Sequence, residues 1–463
     1  MDQKNLDLAA QIVGGDSIER AKQAINSRKN QLTILLANRK LPDVGWDNIS
    51  VRNLMNDLKL MDSNNFINNI GIGEREARVY SEMVENRHFN MCHGVGRSGD
   101  ITADQPKATG SSLLSKLCHF LTLDCLKICG LANVRQCLIL PIATGMSIML
   151  TLLTLRNIRP ITAKYVVWTR VDQKSCLKAI VIAGFAPIVV PNVLNGEEVK
   201  MDHQALVEMI KKTGHDNILC IITTSSCFAP RVPDEIDQVA RLCLSENIPH
   251  VINNAYGLQC KRITSLINRS MAVGRVDAVV QSTDKNFLVP VGGAVVCGPN
   301  KDLIKSIGKA YAGRASSSPV IDMFVTLLSM GRKKYAELLE EREKLSEKFR
   351  SVLSTFAESK GEHLVESRSN SISFAVSLER VKNPTEIGAM LFARGVTGVR
   401  VIENKGDVKN LANIDFLNYG ASIDAYPFPY LTLACAIGSK ENDLERFVGK
   451  LEKVYDAVEK KLA

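Results

Sequence analysis

Lys285 is the residue on which chemistry can be built. It lies in QSTDKNFLVPVGGAVVCG, residues 281–298. There the charged pair Asp284–Lys285 separates the strand-like VDAVVQS from an apolar stretch between Phe287 and Val296, broken only by Gly292–Gly293. An ammonium between two buried strands is costly to desolvate. Such a lysine loses its proton readily and can condense with an aldehyde. A second segment, NNAYG at 253–257, closes another strand-like run. Together the two point to a pyridoxal-phosphate enzyme; the plain alternative is a surface hairpin with a solvated Asp–Lys tip.

Three further segments have the composition of anion sites. HGVGRSGDITADQPK, residues 93–107, spells GxGxxG with Gly94, Gly96 and Gly99. A dinucleotide site needs a strand before these glycines and a helix directly after them. NMCH is a poor strand, and Asp100, Asp104 and Pro106 follow, so the loop reads as a phosphate cradle instead. In that reading flexible glycines free backbone N–H groups, and Arg97, Ser98 and Gln105 add donors. GIGEREAR, residues 71–78, puts Arg75 just inside an expected helix start. Ala143–Thr144–Gly145 follows a buried strand and opens a helix, whose free N–H groups suit a cofactor phosphate. Asn253 stands where many enzymes of this class carry an Asp. An amide cannot balance a pyridinium charge, so the ring is a weaker electron sink, adequate for eliminating a good leaving group. The seven histidines form no HxH or HxxxH pair, no GxSxG occurs, and the 12 cysteines form no CxxC.

These segments need a scaffold. From about 46 to 325, runs rich in Val and Ile alternate with helical stretches: CLILP, YVVWT, PIVVP, ILCIITT, HVINN, AVVQS and AVVCG. Strands without polar alternation are buried on both faces, and repeated strand–helix units predict a mostly parallel α/β sheet. Its ligand site lies at the carboxyl ends of the strands, where ATG, DQK, NNAYG and DK all fall. Residues 1–45 read as a helical extension, suited to oligomerisation or to simple packing. Residues 326–463 read as a smaller α+β domain with a long charged helix over 331–360, a strand at 372–378 and a last helix from about 440.

The composition is that of a globular protein, with 45% hydrophobic and 23% charged residues. A net charge of +9 favours polyanionic partners. Scattered cysteines in apolar runs suit reduced thiols. The uncharged run Cys137–Leu155 is long enough for a membrane span, but Pro141 and Gly145 break it into strand, turn and helix. No membrane is expected, and MDQKNLDLAA reads as untargeted, which gives a cytoplasmic expectation.

Taken in order, the segments at 61–79, 93–114, 143–147, 171–176, 224–235, 253–257, 281–294 and 313–319 closely resemble the O-phosphoseryl-tRNA(Sec) selenium transferases, the archaeal and eukaryotic selenocysteine synthases. The resemblance implies a fold-type-I pyridoxal 5'-phosphate transferase, a cytoplasmic homotetramer acting on an aminoacylated tRNA. It implies that Lys285 binds the cofactor aldehyde, with Arg75 in the cofactor site and Lys174 close to the active centre. Arg97, Ser98, Gln105 and Arg314 would hold the substrate phosphoryl group. Glu74 would repel the carboxylate of free phosphoserine, and Arg400 would meet tRNA. In the segment MAVGR the family's basic residue is replaced by Ala272. The implied reaction removes the Cα proton through Lys285, expels phosphate from Cβ and adds selenium from selenophosphate. Two alternatives stay open: a lyase acting on a free sulfur or selenium amino acid, and a catalytically idle tRNA-binding relative.

Overall fold

The computed structural model describes residues 2–460. Its centre is a seven-stranded sheet. In chain order its strands are β1 (Gln136–Leu140), β2 (Tyr165–Thr169), β3 (Ala186–Val190), β4 (Ile218–Thr224), β5 (His250–Asn253), β6 (Ala278–Ser282) and β7 (Ala294–Gly298). Their order across the sheet is β1-β7-β6-β5-β4-β2-β3. Strands β2 to β6 run parallel, whereas β7 is antiparallel to both of its neighbours. The repeated strand–helix pattern did not foresee this reversal. Its cause is length: a parallel crossover needs roughly a dozen residues or more, usually a helix. Residues 283–293 hold only a short helix, Thr283–Phe287, before the chain turns back.

Every residue of β4, β6 and β7 is buried, as their unbroken apolar runs require. The expected strand, turn and helix over 137–155 are present as β1 and the helix Thr144–Leu155. Among the described residues no helix is long and apolar enough to cross a membrane. All twelve cysteines are free thiols, and burial pushes several of them up, Cys129 and Cys176 to about 12.

The N-terminal stretch is helical in two pieces, Gln3–Ala10 and Gly15–Asn38. The long charged helix starts earlier than its charge pattern suggests, at Ser318, and runs to Ser359 with a break at Gly331 (φ 66°). A side chain there would strike the backbone of Val44 and Gly45. Before the break, Phe324, Leu327 and Leu328 pack into the core around the sheet. After it, Phe349, Leu353 and Phe356 join a second core with Phe374, Leu431 and Val454. That second core lies against a three-stranded antiparallel sheet of Ser373–Ser377, Tyr430–Ala434 and Arg400–Ile402. The polar stretch 403–425 contains a hairpin, Val408–Leu411 with Ile414–Leu417.

His250, the first residue of β5, is fully buried. Its Nδ1 faces the Arg275 carbonyl at 3.1 Å, which can only accept, so its Nε2 accepts from the Thr223 hydroxyl at 2.8 Å. Burial, the largest cause, pushes its pKa down to about 4. Below the unfolded-chain value of about 6.5 the unfolded state takes up a proton that the folded state refuses, so stability falls as pH drops through that window towards 4. Urea unfolding at about pH 7 and pH 5 should therefore show a loss of stability on acidification. In His250→Gln that loss should shrink by about 2 kcal/mol. An unchanged pH dependence would remove His250 from the account.

Candidate functional site

The carboxyl ends of β1, β2, β4, β5 and β6 open on one cavity of about 510 Å³. Lys285 lines it from the short helix that follows β6. The amine lies 3.1 Å from Ser282 Oγ and 3.4 Å from an Asp284 carboxylate oxygen. Its side chain is 48% exposed. The expectation of an ammonium desolvated between strands is thus corrected. The chain leaves the sheet at Ser282, and the helix turns Lys285 out into the cavity.

Thr144 and Gly145 line the same cavity at the start of the helix Thr144–Leu155. Ala143 precedes them in extended conformation and offers no side-chain cap, so the first-turn N–H groups keep their capacity for an anion. The Thr144 hydroxyl sits 2.5 Å from Ser282 Oγ and ties this turn to the lysine's strand. A Cβ on Gly145 would come within 3.1 Å of the Ser175 side chain. Asn253 ends β5 at 4% exposure. Its Oδ1 finds no hydrogen-bond partner among the described residues, and neither does the buried Tyr256 hydroxyl beside it. Unpartnered buried oxygens are uncommon and call for a missing donor.

Lys174 joins the cavity as the first residue of the helix Lys174–Ile182. So does Arg400, which sequence reasoning assigned to tRNA; its guanidinium lies 4.0 Å from the Phe228 ring centroid. Phe228 and Tyr256 lie inside segments singled out by sequence. Tyr419, also in the lining, carried no signal.

The anion loop is built differently from its expected form. Gly94, Gly96 and Gly99 all adopt positive φ, but the loop is folded rather than loose. A side chain on Gly94 would strike the Ala315 carbonyl, and one on Gly96 the backbone of Ile101. Val95 N–H donates to Ala315 O at 2.9 Å, Arg97 N–H to Asp100 O at 2.9 Å and Gly99 N–H to Gly313 O at 3.2 Å. Packed loop backbone must satisfy its own donors, so these N–H groups are already used. Side chains add donors for an anion, with Arg97 and Ser98 exposed at the tip. Gln105 Nε2 reaches back to the Gly96 carbonyl at 3.5 Å. Arg314 donates to the His93 carbonyl, while its Nε is buried with no partner among the described residues. Burial and the nearby Arg75 charge lower the Arg314 pKa, the signature of cations gathered without a counter-anion.

Arg75 is not at a helix start. Residues 71–78 form an irregular turn closed by Arg78, which donates to the carbonyls of Gly71 at 2.6 Å and Gly73 at 3.0 Å. Glu74 lies 3.9 Å from Arg75 with its side chain 87% exposed. None of Glu74, Arg75, Arg97, Ser98, Gln105 and Arg314 lines the Lys285 cavity. The predicted residues thus fall into two groups, a lysine cavity and a cationic loop. Ala272 lies exposed near the end of the helix Lys261–Val273. No group of His, Cys, Asp or Glu among the described residues is arranged to hold a metal ion.

Comparison with known proteins bears on both groups at once. The family model described as O-phosphoseryl-tRNA(Sec) selenium transferase, SepSecS, matches residues 61–456. The O-phosphoseryl-tRNA(Sec) selenium transferase of Dictyostelium discoideum is 47% identical over 477 residues, covering 98% of this chain and all of that one. The crystal structure of an archaeal O-phosphoseryl-tRNA(Sec) selenium transferase superposes with a TM-score of 0.88 at 32% identity, over 95% of this chain and 98% of that chain. An Oryza sativa TDC solved with PLP and tryptamine shares the fold alone, with a TM-score of 0.55 at 11% identity over 96% of this chain and 99% of that chain. A match that spans the lysine cavity, the cationic loop and both apolar cores from end to end leaves one conclusion: the chain belongs to the O-phosphoseryl-tRNA(Sec) selenium transferase family.

Proposed function

We propose that the protein converts O-phosphoseryl-tRNA(Sec) to selenocysteinyl-tRNA(Sec), using selenophosphate as selenium donor and pyridoxal 5'-phosphate held on Lys285. The observation that carries this reading is the cavity itself. It combines an amine, an uncapped helix N-terminus at Thr144 and a buried amide oxygen without a donor at Asn253. A phosphorylated pyridine aldehyde matches these three features in kind. The Thr144–Gly145 turn would take its phosphate, Asn253 its ring nitrogen and Lys285 its aldehyde. When bound, that group supplies an electron sink for negative charge at the substrate Cα.

The chain's own residues do the rest. Lys285 would take and hold the proton at Cα; Ser282 Oγ, 3.1 Å away, steadies its amine. Arg97, Ser98, Gln105 and Arg314 hold the phosphoryl group as it leaves, and the same cradle then receives selenophosphate. Arg75 serves the cofactor side and Lys174 the active centre. Glu74 turns away a free α-carboxylate but tolerates the uncharged ester of an aminoacyl-tRNA. Arg400, packed on Phe228, meets the tRNA acceptor end.

The reading includes a homotetramer. Ile67, Ile70 and Ile72 are 84–92% exposed on the segment that carries Glu74 and Arg75, and Ile34 is 58% exposed on an N-terminal helix. Exposed apolar side chains gathered on one segment suit a protein contact. A second copy seated there supports bringing a cationic loop to a lysine cavity.

Lys285→Ala should abolish turnover and the visible absorbance of lysine-bound cofactor, including its trapping by borohydride. A coloured, active Lys285→Ala protein would end the cofactor assignment. Arg97→Ala and Arg314→Ala should each lose on the order of a hundredfold in turnover while keeping the cofactor absorbance; wild-type rates in both would show the phosphoryl cradle to be misplaced. Binding of phosphoseryl-tRNA should weaken steeply with salt, as neutralised phosphates release counterions. Free phosphoserine should be a poor substrate, and Glu74→Gln should raise its use more than that of phosphoseryl-tRNA. Equal use of both substrates by the wild type would favour the free-amino-acid lyase.

A further inference from the structure

Two of the cavity's wall residues, Arg400 and Tyr419, come from the C-terminal part of the chain, far from the sheet that supplies the floor. Something must hold them there, and for Tyr419 it is a buried carboxylate. Asp172 follows β2, lines the same cavity and is 1% exposed in its side chain. Its Oδ2 accepts the backbone N–H of Gly420 at 2.8 Å and that of Ser422 at 2.8 Å. Its own N–H donates to Ser422 Oγ at 3.0 Å. Both amides lie in the loop just after Tyr419, and Gly420 has a φ of 130°, which a side chain would strain.

Arg170 completes the fastening. Its Nε lies 3.0 Å from Asp172 Oδ1, its Nη2 donates to the Leu417 carbonyl at 3.2 Å, and its Nη1 donates to Asp424 at 2.5 Å. The guanidinium also lies 5.2 Å from the Phe416 ring centroid. The segment 417–424 is therefore clamped at both ends to the carboxyl edge of the sheet. A buried ion pair is a poor source of net stability, since well-packed apolar side chains often serve as well. What this one supplies is position.

We infer that Asp172 is a positioning residue of the proposed selenium transfer: it acts through the 417–424 loop, keeps Tyr419 in the cavity wall and so governs how the aminoacyl end of the tRNA fits. The inference rests on the proposed function of the Lys285 cavity. Lys285 touches neither Asp172 nor the loop through any hydrogen bond, so proton transfer is not its province.

The test uses the full-length protein with its cofactor. Asp172→Asn keeps the shape of the side chain but loses the charge that Arg170 and the two amides face. It should keep the cofactor absorbance, raise the KM for phosphoseryl-tRNA about tenfold and leave kcat within roughly threefold. Tyr419→Ala should do the same, and the double variant should be no worse than either single one, because both act through one loop. A wild-type KM in a folded Asp172→Asn protein overturns the inference, as does strict additivity in the double variant. If Asp172→Asn does not fold, Ser422→Ala removes one bond of the same clamp and should raise KM a few-fold; an unchanged KM overturns the inference equally. A wild-type protein inactive on phosphoseryl-tRNA counts against the proposed function alone. The clamp is then read from hydrogen exchange at Gly420 and Ser422, which Asp172→Asn should accelerate; unchanged exchange overturns it.

Discussion

Between Ser282 and Ala294 the chain has to leave β6, turn back and enter β7 beside it, and the placement of Lys285 depends on how it does so. Thr283 N–H and its hydroxyl both reach the Gly293 carbonyl, at 3.1 and 2.9 Å, which closes the loop at its base. Leu288 takes a left-handed conformation (φ 57°) and ends the helix after one turn. Inside, Phe287 stacks on Tyr335 with centroids 5.9 Å apart, and the Tyr335 hydroxyl donates to the Asn286 carbonyl at 3.2 Å. Asn286 in turn donates to the carbonyls of Ser282 and Ala255, at 2.7 and 3.0 Å. Thr283, Asn286 and Phe287 around Lys285 are pinned, and its amine faces the cavity. A reactive group works best when its support is rigid and its own reach is free.

The remaining groups depend on that placement because the parallel strands all end on the same edge. β1 delivers the Thr144 turn, β2 delivers Asp172 and Lys174, and β5 delivers Asn253. The cationic loop follows a different logic. Val95 and Gly99 N–H groups hold it against Ala315 and Gly313, and its charge is displayed by the side chains at its tip. It belongs to the rim of the structure rather than to the sheet, and it lies beside a segment rich in exposed isoleucine.

Charge is distributed accordingly. Buried acids act as fasteners: Asp172 on the 417–424 loop, Asp62 on Ser111 at the start of the helix Thr109–Ile128, and Asp234 on Arg231 and the Thr224 N–H. Each is met by N–H or O–H donors or by a guanidinium, which is the condition for keeping a carboxylate out of water. Cations are treated in the opposite way. Arg75, Arg97 and Lys285 keep large exposed fractions, and Arg314 is held by a carbonyl rather than by an acid. Arg75 and Lys285 have only long, exposed contacts to the neighbouring Glu74 and Asp284, and exposed cations of this kind remain available to phosphate.

Short-range pattern was enough for much of this. Val- and Ile-rich runs of the right length specified β1 to β7, because a strand buried on both faces needs apolar residues at every position. The strand–turn–helix at 136–155 followed from one proline and one glycine. Lys285, Thr144 and Asn253 were legible because each stands directly after such a run, where a parallel sheet puts its ligands. Direction and distance were not legible. The reversal of β7 follows from the length of residues 283–293 and the pairing of β1 with β7, a contact between segments far apart in sequence. The irregular turn at Arg75 depends on Arg78 reaching back to two carbonyls, and helix-like charge spacing says nothing of that. Tyr419 lies beside a loop whose amides bind a carboxylate after β2, about 250 residues earlier, and Arg400 reaches the cavity from a strand of the C-terminal sheet. Local sequence determines which segments become strands and helices through propensity and burial; which residues meet is decided by long-range hydrogen bonds and packing, which no local window contains.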